Sequence, residues 1–168
     1  MNPNTLPGKS FTSAVEWRDF EMDLSWELVQ EGLFDYPLVD GKKPTLLANH
    51  CTKCGKTFFP KRDICPHCFE GGTLEEIPLD NRGIIYACTV VQIPSPVGIK
   101  APYAYGYVEI PANGIRVFAL FTGDDPYSFT PGREVELVVE SIRENNQGQK
   151  IIGYKFKPIS PRTFPPSL

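Results

Sequence analysis

Two Cys-x-x-Cys pairs lie within eighteen residues, Cys51-Thr52-Lys53-Cys54 and Cys65-Pro66-His67-Cys68, with ten residues between them. Each pair spans a tight turn that brings two thiolates to one point. Two such turns facing one another make a tetrahedral sulfur site, which zinc fills without redox chemistry. Gly55 follows Cys54 and lets the backbone turn its amides toward sulfur, while Pro66 stiffens the second turn. A redox dithiol needs only one such pair. An iron site of rubredoxin type uses similar turns, but ten residues is a short interval for it. His50 and His67 flank the ligands, yet four thiolates already complete the shell. One structural zinc on Cys51, Cys54, Cys65 and Cys68 is the expectation. A closed four-sulfur shell leaves no position for water, so hydrolytic zinc chemistry is not expected.

The remainder of the chain must support this knuckle. Its 168 residues include seventeen prolines and fourteen glycines, which favour many turns and short elements. No apolar run approaches the ~20 residues needed to span a bilayer. The first residues are polar and carry no secretory pattern, so the cytoplasm is the default location. There a pair of Cys-x-x-Cys motifs reads as metal ligands before disulfides.

Four parts are expected. Residues 1–44 form a polar lead and a helical segment, 45–72 the zinc ribbon, 73–158 a β barrel and 159–168 a Pro-rich tail. Ser13 and Glu16 make a capping box that would start a helix over 12–36. Trp17, Phe20, Leu24 and Leu28 are spaced for one of its faces, and Met22, Trp26, Val29 and Leu33 for another. Gly32 would stop it, or Asp23 would cap a second, shorter helix. A helix apolar on two sides must be covered, either by the body of the protein or by a partner. Beyond residue 73, β-rich runs at 84–93, 103–110, 115–121, 134–139 and 151–156 alternate with turn signals such as Pro111-Ala112-Asn113-Gly114 and Asn145-Asn146-Gln147-Gly148. Five short strands at this spacing predict an OB-type barrel, because closure removes exposed edges. The fold class is thus mainly β with an N-terminal helix: a rubredoxin-like ribbon, then a five-stranded barrel.

Catalytic machinery is hard to assemble from what is left. The two histidines flank the expected ligands. Cys88, the fifth cysteine, sits in a strand and reads as a buried, inert thiol. Asp124-Asp125, between Gly123 and Pro126, reads as a turn. No Gly-x-Ser-x-Gly, phosphate loop or dinucleotide fingerprint is present. Lys53, Lys56, Lys61 and Arg62 surround the knuckle. They either balance the negative charge of a four-thiolate zinc or form a phosphate patch for a nucleotide-bearing cofactor such as coenzyme A. The formal net charge of -3 and the lack of a basic stripe with interleaved aromatics argue against a nucleic-acid partner.

The order of helix, Cys51-Thr52-Lys53-Cys54-Gly55, Phe59-Pro60, Cys65-Pro66-His67-Cys68 and barrel resembles the zinc-ribbon/OB-fold proteins associated with acyl-CoA enzymes. The barrel motifs Gly83-Ile84-Ile85-Tyr86, Thr89-Val90-Val91, Ala101-Pro102-Tyr103 and Pro131-Gly132-Arg133-Glu134-Val135 match in character, over roughly residues 20–158. Within that group the chain is most similar to the small subunits of thiolases that serve aromatic degradation. The resemblance implies a non-catalytic accessory subunit of a heteromeric thiolase, with an acyl-CoA thioester as substrate and the catalytic residues on a large thiolase-like partner. The Pro-rich connection over 94–102 would contact that partner or the acyl-CoA, with Lys100 near phosphate. The alternative is a nucleic-acid-binding zinc-ribbon/OB protein, since both folds serve that role.

Overall fold

A computed structural model describes residues 26–36, 41–123 and 125–159. The described chain forms nine strands: β1 (Trp26–Leu28), β2 (Leu47–Cys51), β3 (Thr57–Phe58), β4 (Leu74–Pro78), β5 (Arg82–Val91), β6 (Tyr103–Ile110), β7 (Ile115–Phe121), β8 (Glu134–Glu144) and β9 (Lys150–Pro158). The helical elements among the described residues are two short 3-10 turns, Pro111–Asn113 and Pro126–Ser128. No described helix is long and apolar enough to cross a membrane.

Strands β5 to β9 close into a five-stranded barrel, as the spacing of the β-rich runs predicts. β5 pairs antiparallel with β6, and β6 with β7. β7 then joins β9 in parallel at Leu120 and Phe121. β9 runs antiparallel to β8, and β8 returns to β5 at Arg82–Ile84, so the ring has no open edge. Alternation drives this: Ile85, Ala104, Val108, Ile110, Val117, Ala119, Val135, Leu137 and Phe156 point inward and are buried. Gly106 marks the tightest approach. A Cβ there would lie 1.9 Å from the Ala87 carbonyl oxygen, where β5 bulges between Ile85 and Ala87. Only glycine admits that crossing.

β2, β3 and β4 form a second, antiparallel sheet in the order β3-β2-β4. Its base is fused to the barrel. Leu46 and Ala48 are fully buried in the same core cluster as Phe156. The Leu47 amide donates to the Leu33 carbonyl (2.9 Å), and the Leu79 amide to that of Leu46 (2.8 Å).

The expected N-terminal helix is not borne out. Its first half, including Ser13, Glu16, Trp17, Phe20 and Met22, lies outside the described residues. In its second half Trp26–Leu28 is a strand, paired in parallel with Lys150–Ile152 of β9, and residues 29–33 form bends and turns. Phe34 bridges Leu46, and the Trp26 ring meets that of Tyr36 edge-on at 5.2 Å. The first half of β9 offers backbone groups on the side away from β8, and a strand satisfies them where a helix cannot. Helical periodicity is a weak prior that such tertiary pairing overrides.

Candidate metal centre

Cys51 is the last residue of β2, and the next four residues turn back on it. The Gly55 amide donates to the Cys51 carbonyl (2.8 Å). The second turn repeats the first: the Phe69 amide donates to the Cys65 carbonyl (2.9 Å). Both turns need a left-handed residue after the second cysteine. Gly55 supplies it at φ 70°, and Phe69 adopts it at φ 58°, alone among the described non-glycine residues. That conformation is unfavourable for a residue with a Cβ. The Phe69 side chain is also 80% exposed, so no packing against the body compensates it, and Ile64 nearby is 56% exposed.

The four thiols meet between the turns. Cys51 and Cys68 sulfurs are 3.7 Å apart, Cys54 and Cys65 3.6 Å, and all four lie within 4.8 Å of one another. A tetrahedral shell with Zn–S bonds of ~2.3 Å sets its sulfurs about 3.8 Å apart. The arrangement therefore fits one metal ion held by Cys51, Cys54, Cys65 and Cys68. The Thr73 hydroxyl, 3.3 Å from Cys51 sulfur, is the main cause that holds the Cys51 thiol down at about 6, helped by the Cys54 and Lys53 amides. Burial pushes Cys54 up to about 11. A metal binding all four must displace protons, so its affinity rises with pH.

The two histidines stand apart from the cluster. His50 Nδ1 is 3.3 Å from the Thr57 hydroxyl, and His67 is exposed. Cys88 is half-buried rather than enclosed. Its thiol donates to the Phe129 carbonyl (3.3 Å), and burial pushes its pKa up. Asp125 caps the Pro126–Ser128 turn by accepting from the Tyr127 amide (2.9 Å).

The cations around the knuckle differ in what they already hold. Lys53 pairs with Glu70 and Lys61 with Glu76, so both are neutralised within the ribbon. Arg62 donates its amide to Asn49 (2.6 Å) and lines a groove with Phe58, Phe59, Pro66 and Arg116. Lys56 is exposed. Lys100 lies elsewhere, on a cavity of about 370 Å³ between the 94–102 connection and the end of β8. That connection is pinned by the Ser95 amide to the Ile99 carbonyl and the Gly98 amide to the Ser95 carbonyl, both 2.9 Å.

Two features are not evident from the sequence. Arg143 and Lys155 join Lys100 on the cavity wall. And aromatic rings do line one outer face of the barrel: Tyr103, Tyr105 and Tyr107 on β6, Phe118 on β7 and Tyr86 on β5. The signal for the second is the period of two in Tyr103-Ala104-Tyr105-Gly106-Tyr107, which puts three rings on one side of a strand.

The profile of the ChsH2 rubredoxin-like zinc ribbon domain matches residues 40–75, and that of the ChsH2 C-terminal OB-fold domain matches residues 76–140. The benzoylsuccinyl-CoA thiolase subunit BbsA of Thauera aromatica is 42% identical over 120 residues, covering 71% of this chain and 81% of its own. A DUF35 domain-containing scaffold protein of Methanothermobacter thermautotrophicus is 38% identical over 115 residues, covering 67% and 86%. Among solved structures, the Ltp2-ChsH2(DUF35) aldolase superposes with a TM-score of 0.54 at 23% identity, over 68% of this chain and 84% of that one. It shares the fold. With a ribbon, a barrel and relatives of this identity over both, the chain belongs to the DUF35 family of ChsH2-type zinc-ribbon/OB-fold proteins.

Proposed function

We propose that this protein is a non-catalytic accessory subunit of a heteromeric thiolase acting on acyl-CoA, and that its four cysteines hold one structural zinc. The metal would act as a clamp on a segment with little apolar interior of its own, and the ribbon tip would dock on the large, catalytic subunit. A reducing cytoplasm would keep the thiolates available to the metal. The observation that carries the docking role is Phe69: a large apolar side chain, 80% exposed, held in a left-handed conformation at the rim of the sulfur cluster. Unfavourable backbone conformations persist where the surrounding structure enforces them and cluster at functional sites. Exposed aromatic residues of this kind are the usual anchors of protein interfaces. The class of partner comes from the relatives named as benzoylsuccinyl-CoA thiolase subunits. A benzoylsuccinyl-type aromatic acyl-CoA is the first substrate to try.

The test is affinity purification of the full-length protein from its native host, with identification of what is bound. A stoichiometric thiolase-fold partner, released by Phe69→Ala, is the expected result. Recovery as a lone monomer, or a partner of another fold, would overturn the reading.

A further inference from the structure

We infer that the cavity beside the 94–102 connection binds the phosphates of a nucleotide whose base stacks on the tyrosine face of β6, and that this nucleotide is the adenosine end of coenzyme A. The identity of the nucleotide rests on the function proposed above; the site itself rests on geometry.

Three cations, Lys100, Arg143 and Lys155, line the cavity against a single acid, Glu144. They differ in what they already hold. The Lys155 ammonium donates to Glu140 (3.0 Å) and to the Ser141 carbonyl (2.7 Å), which fixes it in place. Lys100 and Arg143 have no side-chain partner among the described residues. Two uncommitted cations and one anchored cation around a concave site suit a doubly charged phosphate. The connection that carries Lys100 is stiffened by its own hydrogen bonds and by Pro94, Pro96 and Pro102, so little order need be gained on binding.

Tyr103 joins this cavity to the aromatic face. It lines the cavity wall, and its ring centroid is 6.3 Å from that of Tyr105, tilted by 34°. Tyr105 continues to Phe118 at 5.3 Å, and Phe118 to Tyr107 at 5.6 Å. Tyr107 and Phe118 are each 49% exposed. A planar base can stack on such rings for roughly 1–3 kcal/mol. A bare inorganic anion would use the cations and leave the rings idle. A single strand of nucleic acid would need phosphate contacts repeated along the face. The arginine farther along that face, Arg116, is already engaged, pairing with Glu109 at 3.1 Å and covering the Tyr86 ring at 3.5 Å. One phosphate cluster at one end of a stacking surface matches a discrete nucleotide.

The experiment titrates the full-length, zinc-loaded protein with adenosine 3′,5′-bisphosphate by calorimetry, beside coenzyme A, pantetheine, inorganic phosphate and a single-stranded DNA 12-mer. Adenosine 3′,5′-bisphosphate and coenzyme A should bind with similar affinity, and pantetheine should not bind. Lys100→Ala and Arg143→Ala should each weaken the nucleotide about tenfold, Arg143→Lys less, and Tyr103→Leu several-fold, with circular dichroism unchanged. Nucleotide affinity indifferent to Lys100→Ala and Arg143→Ala would overturn the inference. So would a 12-mer that binds more tightly than the nucleotide, or phosphate that binds as well as the nucleotide. Co-purification of the partner with the Lys100→Ala/Arg143→Ala protein is read separately. Assembly intact with no nucleotide binding overturns this inference alone; nucleotide binding without a thiolase partner overturns the proposed function and leaves the site standing.

Discussion

The two ends of strand β2 are held by different physics. At one end Leu46 and Ala48 are fully buried among the barrel residues, in a core that owes its cohesion to apolar area removed from water. At the other end Cys51 is equally buried, but its neighbours are three other sulfurs and the Thr73 hydroxyl. The barrel end needs no ligand to be compact. The tip end has too little apolar surface to order the loops over 52–73 alone, and segments of that size are commonly organised by a metal. Stability in this protein is therefore local, and its two halves should fail separately.

Breaking the tip should have the largest effect. Metal binding by such sites contributes roughly 10–16 kcal/mol. Chelation, or Cys54→Ser, should therefore strip hydrogen-exchange protection from the amides of Gly55 and Phe69 while those of β6 and β9 stay protected. Protection retained at the tip would mean that no metal clamp is needed. Next comes the barrel: Phe156→Ala removes a fully buried ring and should cost about 3–5 kcal/mol in urea unfolding, with zinc affinity of the folded protein unchanged. A large fall in zinc affinity would show that the two ends of β2 are one cooperative unit. Phe69→Gly separates metal holding from docking within the tip. It relieves a left-handed aromatic residue, worth about 1–2 kcal/mol locally, so zinc affinity should hold or rise while affinity for the partner falls tenfold or more in a binding titration. The smallest effect concerns Glu140. Burial raises its pKa, but hydrogen bonds from Thr122 and Lys155 outweigh this and leave it below the usual 4.5. A carboxyl lowered in the folded state contributes stability above its unfolded pKa, lost as pH falls through the folded one. Glu140→Gln should flatten the acid limb of the stability profile below about pH 4.5 by less than about 1 kcal/mol, the pair being partly solvent-screened.

Much of this architecture is legible in the residue order alone. The cysteine spacing needs no tertiary information, because each turn is local and its chemistry is written in the residue types. The barrel strands are readable because alternation and turn residues coincide, although β8 extends to Glu144, five residues past the run at 134–139. What is not legible has one cause. Trp26–Leu28 is a strand because β9 has backbone groups to offer, and nothing within residues 12–36 reports that. Lys100 is brought to Arg143 on β8 and Lys155 on β9 by packing of the 94–102 connection against those strands, a juxtaposition invisible to spacing. The matched role of Gly55 and Phe69 is half legible: the glycine announces its turn, whereas a phenylalanine after Cys68 gives no hint of sharing its conformation.

The shared strand also bears on how the tip meets a partner. Because β2 runs without interruption from the packed interior to the sulfur cluster, the tip cannot swivel unless Leu46 and Ala48 move within a close-packed core. Phe69, directly after Cys68, would then be offered at a fixed distance and angle once a metal ties Cys68 to Cys51 at the end of that strand. A partner that receives it need not freeze a wandering loop, and the orientational freedom lost on docking is confined to whole-body motion. Association should then proceed with the backbone nearly unchanged, as between two rigid parts cut to the same gauge.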